Sequence, residues 1–73
     1  MQIHTPHPTP ILLNGERLHT AARTLAELVA GQGFAETAVA TAINGAFVPR
    51  VARAATLLSG GDKVEIVAPR QGG

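Results

Sequence analysis

The apolar positions along this chain change their spacing several times, and these changes predict its secondary structure. Ile11-Leu12-Leu13 and Glu16-Arg17-Leu18-His19 flank an Asn14-Gly15 pair. Asn-Gly accepts the positive φ angles of a type I′ turn, the tight turn whose twist suits two antiparallel strands. The stretch therefore predicts a β-hairpin, with Leu18 pointing toward the core.

A second Asn-Gly pair, Asn44-Gly45, predicts a second hairpin. It joins a stretch rich in Ala, Val and Thr, residues Thr37 to Ile43, to a short return strand, Ala46-Phe47-Val48. Pro49 ends the return strand because proline has no N–H to donate to a strand ladder. Strand alternation places three side chains on one face: Val39, Thr41 and Ile43.

A helical spacing of apolar residues separates the two hairpins. Thr24 and Glu27 have the spacing of a capping box, in which each side chain accepts a hydrogen bond from a backbone N–H at the start of a helix. Leu25, Leu28 and Val29 follow at i, i+3 and i+4, which makes one apolar stripe. The pattern predicts a helix that packs this stripe into the core.

The rest of the chain predicts a crossover and a final strand. Arg50 to Leu58 is interpreted as an irregular or short helical crossover anchored by Val51, Leu57 and Leu58. In Lys63–Val67, alternation places Val64 and Ile66 on one face and the other three residues on the opposite face. Hairpin, helix, hairpin, crossover and strand together predict an α+β domain. We expect a mixed sheet of four to five strands on one helix, with the last strand central.

Composition narrows the possible functions. The chain has 73 residues, which is one small domain, and its hydrophobic residues include only two aromatics, so the core must be aliphatic. The absence of cysteine excludes disulfides, thiolate metal sites and a cysteine nucleophile, and it fits a cytoplasmic protein. The net charge of +1 does not suggest nucleic-acid binding. No apolar run is long enough to span a membrane, and the two histidines near the start, His4 and His7, are expected to be solvated rather than metal ligands.

Three segments follow from these patterns. Residues 1–10 carry three prolines at alternate positions and predict an extended or disordered leader. Residues 11–68 form the predicted domain. Residues 69–73, Pro-Arg-Gln-Gly-Gly, predict a flexible tail that reaches at most roughly 17 Å beyond the domain.

The tail offers the only candidate chemistry. Gly72 and Gly73 have no side chains, so they can thread a channel too narrow for other residues. The terminal carboxylate is ionised at neutral pH and can act as an oxygen nucleophile. The chain has no phosphate-binding loop and no catalytic cluster, so activation of this carboxylate would have to come from partner proteins.

These residues resemble one family of the β-grasp, or ubiquitin-like, fold: ThiS, the sulfur carrier protein of thiamin biosynthesis. The similarity covers roughly residues 11–73. It lies in Leu13 to Glu16, in Ala42 to Arg50, in Leu58 to Val67 and in the final Gln71-Gly72-Gly73. Thr41 departs from the pattern, because it stands at a core-facing position where the family usually has an aliphatic residue.

The resemblance implies a carrier and not an enzyme. A ThiF-type adenylating enzyme, using ATP and Mg²⁺, would activate the carboxylate of Gly73. A cysteine desulfurase relay would then convert it to a thiocarboxylate, and thiazole synthase (ThiG) would receive the sulfur. The chain would need no cofactor of its own.

The same resemblance assigns roles to six residues. Gly73 would carry the reacting carboxylate and Gly72 would keep the tail thin. Arg70 and Gln71 would hold the tail in the partner, or would simply be solvated. Phe47 and Val67 would form an exposed apolar patch for the partner, although ordinary core packing of Phe47 is an equal expectation.

Two alternatives remain open from the sequence. The small subunit of molybdopterin synthase uses the same thiocarboxylate chemistry, although its last strand is typically more aromatic and proline-rich. A ubiquitin-like modifier would have a similar fold, but its Gly73 would form an isopeptide bond to a lysine. A binding module would have the same fold and an unreactive Gly73.

Overall fold

The computed structural model describes residues 7–68, which form five strands, one α-helix and two 3₁₀ helices. The predicted flexible tail and residues 1–6 of the predicted leader lie outside the described residues. The elements are, in chain order, β1 (Thr9–Leu13), β2 (Glu16–Thr20), α1 (Leu25–Gly31), a 3₁₀ helix at Glu36–Ala38, β3 (Ala40–Ile43), β4 (Ala46–Val48), a 3₁₀ helix at Arg50–Ala55, and β5 (Lys63–Val67).

The strands form one mixed sheet in the order β2-β1-β5-β3-β4. β5 is parallel to β1 and antiparallel to β3, while β1–β2 and β3–β4 are the two hairpins. The predicted mixed sheet of four to five strands, with one helix and with the last strand central, is confirmed, and it has five strands.

Both hairpins turn on Asn-Gly pairs, as predicted. Asn14 and Gly15 have φ angles of 51° and 86°, and Asn44 and Gly45 have angles of 52° and 85°. Positive φ at both central positions defines the type I′ turn, and asparagine tolerates this conformation better than most residues that carry a side chain.

The helix begins with the predicted capping box. Thr24 Oγ1 accepts a hydrogen bond from the Glu27 N–H at 3.2 Å, and Glu27 Oε1 accepts one from the Arg23 N–H at 2.7 Å. The apolar stripe of α1 is fully buried, with Leu25, Leu28 and Val29 at most 1% exposed. These contacts hold the helix against one face of the sheet.

The core lies between α1 and this face, and it is entirely aliphatic. Val64 and Ile66 of β5 lie at its centre, as predicted, and both phenylalanines lie outside it. The remaining buried apolar residues are Ile11, Leu25, Leu28, Val29 and Val39.

β1 begins at Thr9 and so includes Pro10, a residue that the sequence placed in the leader. Leu12 donates its N–H to Asp62 O, on the side of β5. By alternation the Pro10 nitrogen faces the same side, next to the turn that precedes β5. Since β5 has not yet begun there, the missing N–H of proline leaves no ladder hydrogen bond unmade.

Two of the three residues predicted to anchor the crossover in the core do not do so. Val51 and Leu57 are 86% and 70% exposed, and only Leu58 packs against the core. The side chain that enters from this segment is Arg53, which is 3% exposed. Its guanidinium reaches oxygen acceptors in the interior, so a polar residue occupies the place that the sequence pattern gave to aliphatic ones.

Candidate functional site

The candidate site is the C-terminal half of β5 and the exposed face of the sheet around it, because this strand leads into the tail. Four of the predicted site residues, Arg70, Gln71, Gly72 and Gly73, lie outside the described residues. Phe47 and Val67 are described, and they are the part of the predicted site that the structure can place.

Phe47 and Val67 lie together on the face of the sheet opposite the helix. Phe47 pairs with Ala42 across β3–β4, Ala42 pairs with Glu65, and Ala40 pairs with Val67. Phe47 is 70% exposed and Val67 is 56% exposed. Phe47 is therefore a surface residue, which decides against the alternative of core packing.

The exposed apolar area has a definite shape. A shallow depression of about 150 Å³ lies at these pairings and is lined by the following residues: Ala40, Thr41, Ala42, Phe47, Glu65 and Val67. We call Ala40, Ala42, Phe47 and Val67 the open-face patch. A phenyl ring beside small side chains leaves its face available for contact, with the Glu65 carboxylate at the border of the patch.

A larger depression, of about 590 Å³, lies farther toward the start of β5. Both Asn-Gly turns border it, and Leu12, Lys63 and Glu65 form its floor. This floor carries one cationic and one anionic side chain, so it is more polar than the open-face patch.

Side chains from the two turns hold β5 on its two edges. Asn44 Oδ1 accepts from the Lys63 N–H at 2.9 Å, and its Nδ2 donates to Asp62 Oδ1 at 3.0 Å. On the other edge, Asn14 Oδ1 accepts from the Ile66 N–H at 3.0 Å, and its Nδ2 donates to Ile66 O at 3.1 Å. The Asn-Gly pattern predicts both asparagines as turn residues. It does not predict these contacts, because they join positions far apart in the chain.

The described part of the chain offers little else that resembles a reaction centre. Residues 7–68 contain no group of three or more His, Cys, Asp or Glu side chains placed to hold a metal ion. Within the same residues, no helix is both long enough and apolar enough to cross a membrane.

The family models and the solved structures point to the same family. The ThiS family model matches residues 11–73. Among solved structures, the chain is similar to the thiamine biosynthesis protein ThiS from Geobacter metallireducens, with 28% identity and a TM-score of 0.73. That similarity covers 89% of this chain and 100% of the other. No curated protein sequence gave a significant match. These findings confirm the resemblance and the β-grasp fold predicted from the sequence.

Proposed function

The chain belongs to the ThiS family, and on that premise we propose that it is a sulfur carrier of thiamin biosynthesis rather than an enzyme. The observation that carries the proposal is the family match, which runs through β5 and the tail to Gly73. The fold supports it, because β5 is the central strand and gives the tail a rigid base.

The proposed chemistry takes place at the carboxylate of Gly73. In the active site of a ThiF-type adenylating enzyme, with ATP and Mg²⁺ bound by that enzyme, this carboxylate attacks the α-phosphate and pyrophosphate leaves. A persulfide sulfur from a cysteine desulfurase relay then attacks the acyl carbon, and AMP leaves. Cleavage of the resulting S–S bond by a thiol releases the Gly73 thiocarboxylate, and the thiol is oxidised to a disulfide.

The proposed roles of the neighbouring residues follow from where the chemistry occurs. Gly72 and Gly73 enter the adenylating site because they lack side chains. Arg70 and Gln71 hold the tail in the entrance by hydrogen bonds. Thiazole synthase (ThiG) is the proposed acceptor of the sulfur.

The open-face patch is the proposed docking surface for the adenylating enzyme. Val67 is an exposed apolar side chain on β5, the strand that leads to the tail, and Phe47 is one on β4, which lies on the far side of β3. Aromatic side chains are enriched in protein interfaces, and buried aromatic anchors supply much of the binding energy. Docking through this face would keep the folded domain outside while the tail enters the active site.

The deciding experiment is an intact-mass measurement. The protein is incubated with its cognate adenylating enzyme, ATP and a persulfide donor, and the C-terminal peptide is then sequenced by mass spectrometry. We expect a mass gain equal to the replacement of one oxygen by sulfur, located at Gly73. An unchanged mass, with the same enzyme active on another carrier, would contradict the proposal.

A ubiquitin-like modifier would give a different product in the same experiment. Its activated carboxylate would appear in an amide bond to a lysine of another protein, and no sulfur would be retained. A stable thiocarboxylate that thiazole synthase consumes would separate the carrier from this alternative.

A further inference from the structure

We propose that Asn14 is a positioning residue that fixes the end of β5 and so directs the tail into the adenylating enzyme. The inference rests on the proposed function, and it adds a residue that lies 52 positions from its partner Ile66 in the chain. Asn14 does not touch the reacting atoms. It acts through the strand that carries them.

The first step is a mismatch between the lengths of two paired strands. β1 and β5 run parallel, and their register ends at Leu13↔Val64, where β1 enters its turn. The last backbone hydrogen bond on this edge runs from the Asn14 N–H to Val64 O, at 2.9 Å. β5 continues to Val67, so the backbone groups of Ile66 on this edge extend beyond the end of β1.

The second step is that the Asn14 side chain replaces the missing strand. A carboxamide has an acceptor oxygen and a donor NH₂, the same pair of groups that a peptide unit presents to a neighbouring strand. Asn14 bonds to Ile66 through both groups. Its Oδ1 accepts from the Ile66 N–H at 3.0 Å, and its Nδ2 donates to Ile66 O at 3.1 Å. The ladder on this edge is thereby extended from Val64 to Ile66.

The third step concerns what this extension fixes. On the opposite edge, β3 holds β5 up to the pair Ala40↔Val67. With Asn14 in place, β5 is hydrogen-bonded up to Ile66 on one edge and up to Val67 on the other. Bonding on both edges fixes the direction in which the chain leaves the sheet. Without the side chain, Ile66 and Val67 would be attached along one edge only. The partner would then have to order these residues during binding, which costs conformational entropy.

Asn44 provides a matched control inside the same protein. It also follows a strand, has a φ of 52° and is followed by a glycine. It also makes two side-chain hydrogen bonds next to β5, but to Lys63 and Asp62 at the start of the strand. Substituting glycine at either position allows the positive φ of the turn and removes the side chain with its carboxamide, and the added backbone freedom is similar at the two positions.

The test compares wild type, Asn14→Gly and Asn44→Gly in a steady-state assay of pyrophosphate release by the cognate adenylating enzyme. We expect Asn14→Gly to raise KM about tenfold, because the end of β5 must then be ordered on binding, while kcat is nearly unchanged because the bound carboxylate is the same. We expect Asn44→Gly to leave KM within about twofold of wild type. Equal KM values for all three proteins, or equal increases in both variants, would overturn the inference.

A second variant and a measurement without partners separate positioning from folding. Asn14→Asp tolerates the same turn and keeps an acceptor for the Ile66 N–H, but it loses the donor to Ile66 O. Amide hydrogen exchange on the protein alone should show faster exchange at Ile66 in Asn14→Gly than in wild type, with α1 amides unchanged. Unchanged exchange at Ile66 would overturn the inference. Failure of wild type to become adenylated would instead count against the proposed function, so the two failures can be distinguished.

Discussion

Arg53 Nε donates a hydrogen bond to Thr41 Oγ1 at 3.1 Å, and both residues are buried, at 3% and 2% exposure. The rest of the guanidinium donates to the carbonyl oxygens of Glu36 and Val39, each at 2.7 Å. The Thr41 hydroxyl in turn donates to Val48 O at 2.9 Å. This network joins the second 3₁₀ helix, the residues around the first one, β3 and β4. It also explains how a threonine can occupy a core-facing position of β3.

The network predicts that Thr41→Val is destabilising although valine suits a buried strand position. The substitution leaves a buried Arg53 N–H and Val48 O without the hydroxyl. Leaving a buried donor or acceptor unpaired costs about 1–3 kcal/mol, so the two groups together predict a loss of about 2–6 kcal/mol in the free energy of unfolding. Urea denaturation would measure it. Thr41→Ser keeps the hydroxyl and should lose less, and a Thr41→Val protein as stable as wild type would show that the network contributes nothing net.

Removal of the guanidinium should have a larger effect. Arg53→Met keeps an unbranched side chain of similar length but leaves three oxygens without their donor, two of them in buried hydrogen bonds. Hydrogen bonds to a charged group contribute about 1.5–3 kcal/mol each. We expect at least about 3 kcal/mol of destabilisation, a large share of the 5–15 kcal/mol typical of a domain. Arg50→Met, an exposed position in the same 3₁₀ helix, should change the free energy of unfolding by less than about 0.5 kcal/mol. Similar effects at both positions would argue against a structural role for Arg53.

The open-face patch gives a prediction about binding without a change in stability. Phe47→Ser removes a side chain that is 70% exposed, so the melting temperature should be nearly unchanged. The affinity for the adenylating enzyme should fall at least about fivefold, a loss of about 1 kcal/mol, because aromatic anchors are common hot spots. Isothermal titration calorimetry would measure it. Val51→Ser is the matched control, since Val51 is 86% exposed and lies outside the patch. Equal affinity of the two variants would exclude the patch as the docking surface.

Deletion of Gly73 should abolish thiocarboxylate formation and leave the domain folded. The deletion moves the carboxylate back by one residue, about 3.3–3.6 Å along an extended chain, which takes it out of reach of the α-phosphate. Intact mass after incubation with the adenylating enzyme, ATP and a persulfide donor would report the product, and the unfolding midpoint would serve as the control. Sulfur incorporation at the wild-type rate in the deleted protein would refute the assignment of Gly73.

The capping box predicts a separate, local effect at the start of α1. Thr24→Ala removes the oxygen that accepts from the Glu27 N–H, and such caps contribute about 1 kcal/mol. Thr37→Ala, at an exposed position in the first 3₁₀ helix, should cost less than about 0.5 kcal/mol. Thermal denaturation of both variants checks this. An equal effect of the two changes would mean that the cap hydrogen bond adds no stability.

Most of the fold could be predicted from local patterns in the sequence. The two Asn-Gly turns, the capping box and the alternation of Val64 and Ile66 each depend on residues close together in the chain, and each is present in the structure. The exposure of Phe47 could not be decided in the same way. A single phenylalanine in a short strand fits either face until its pairing with Ala42 is known.

The features that could not be predicted from the sequence depend on contacts between residues far apart in the chain. Arginine is seldom buried, and two of the three acceptors of Arg53 are backbone oxygens that leave no signature in the side-chain pattern. Val51 and Leu57 looked like anchors because they are apolar, yet the 3₁₀ helix and the bridge between Thr24 and Leu57 turn them outward. Asn14 was identified correctly as a turn residue, but its bond to Ile66 requires the parallel pairing of β1 with β5.

The central position of β5 also has a consequence for how the protein is made. Of the described strands, β5 comes last in chain order and yet separates β1 from β3 in the sheet. During synthesis the two hairpins leave the ribosome before the strand that joins them, so the sheet cannot close until Lys63–Val67 has emerged. A chain that stops before Lys63 therefore lacks the strand that joins the two hairpins, and its sheet remains incomplete.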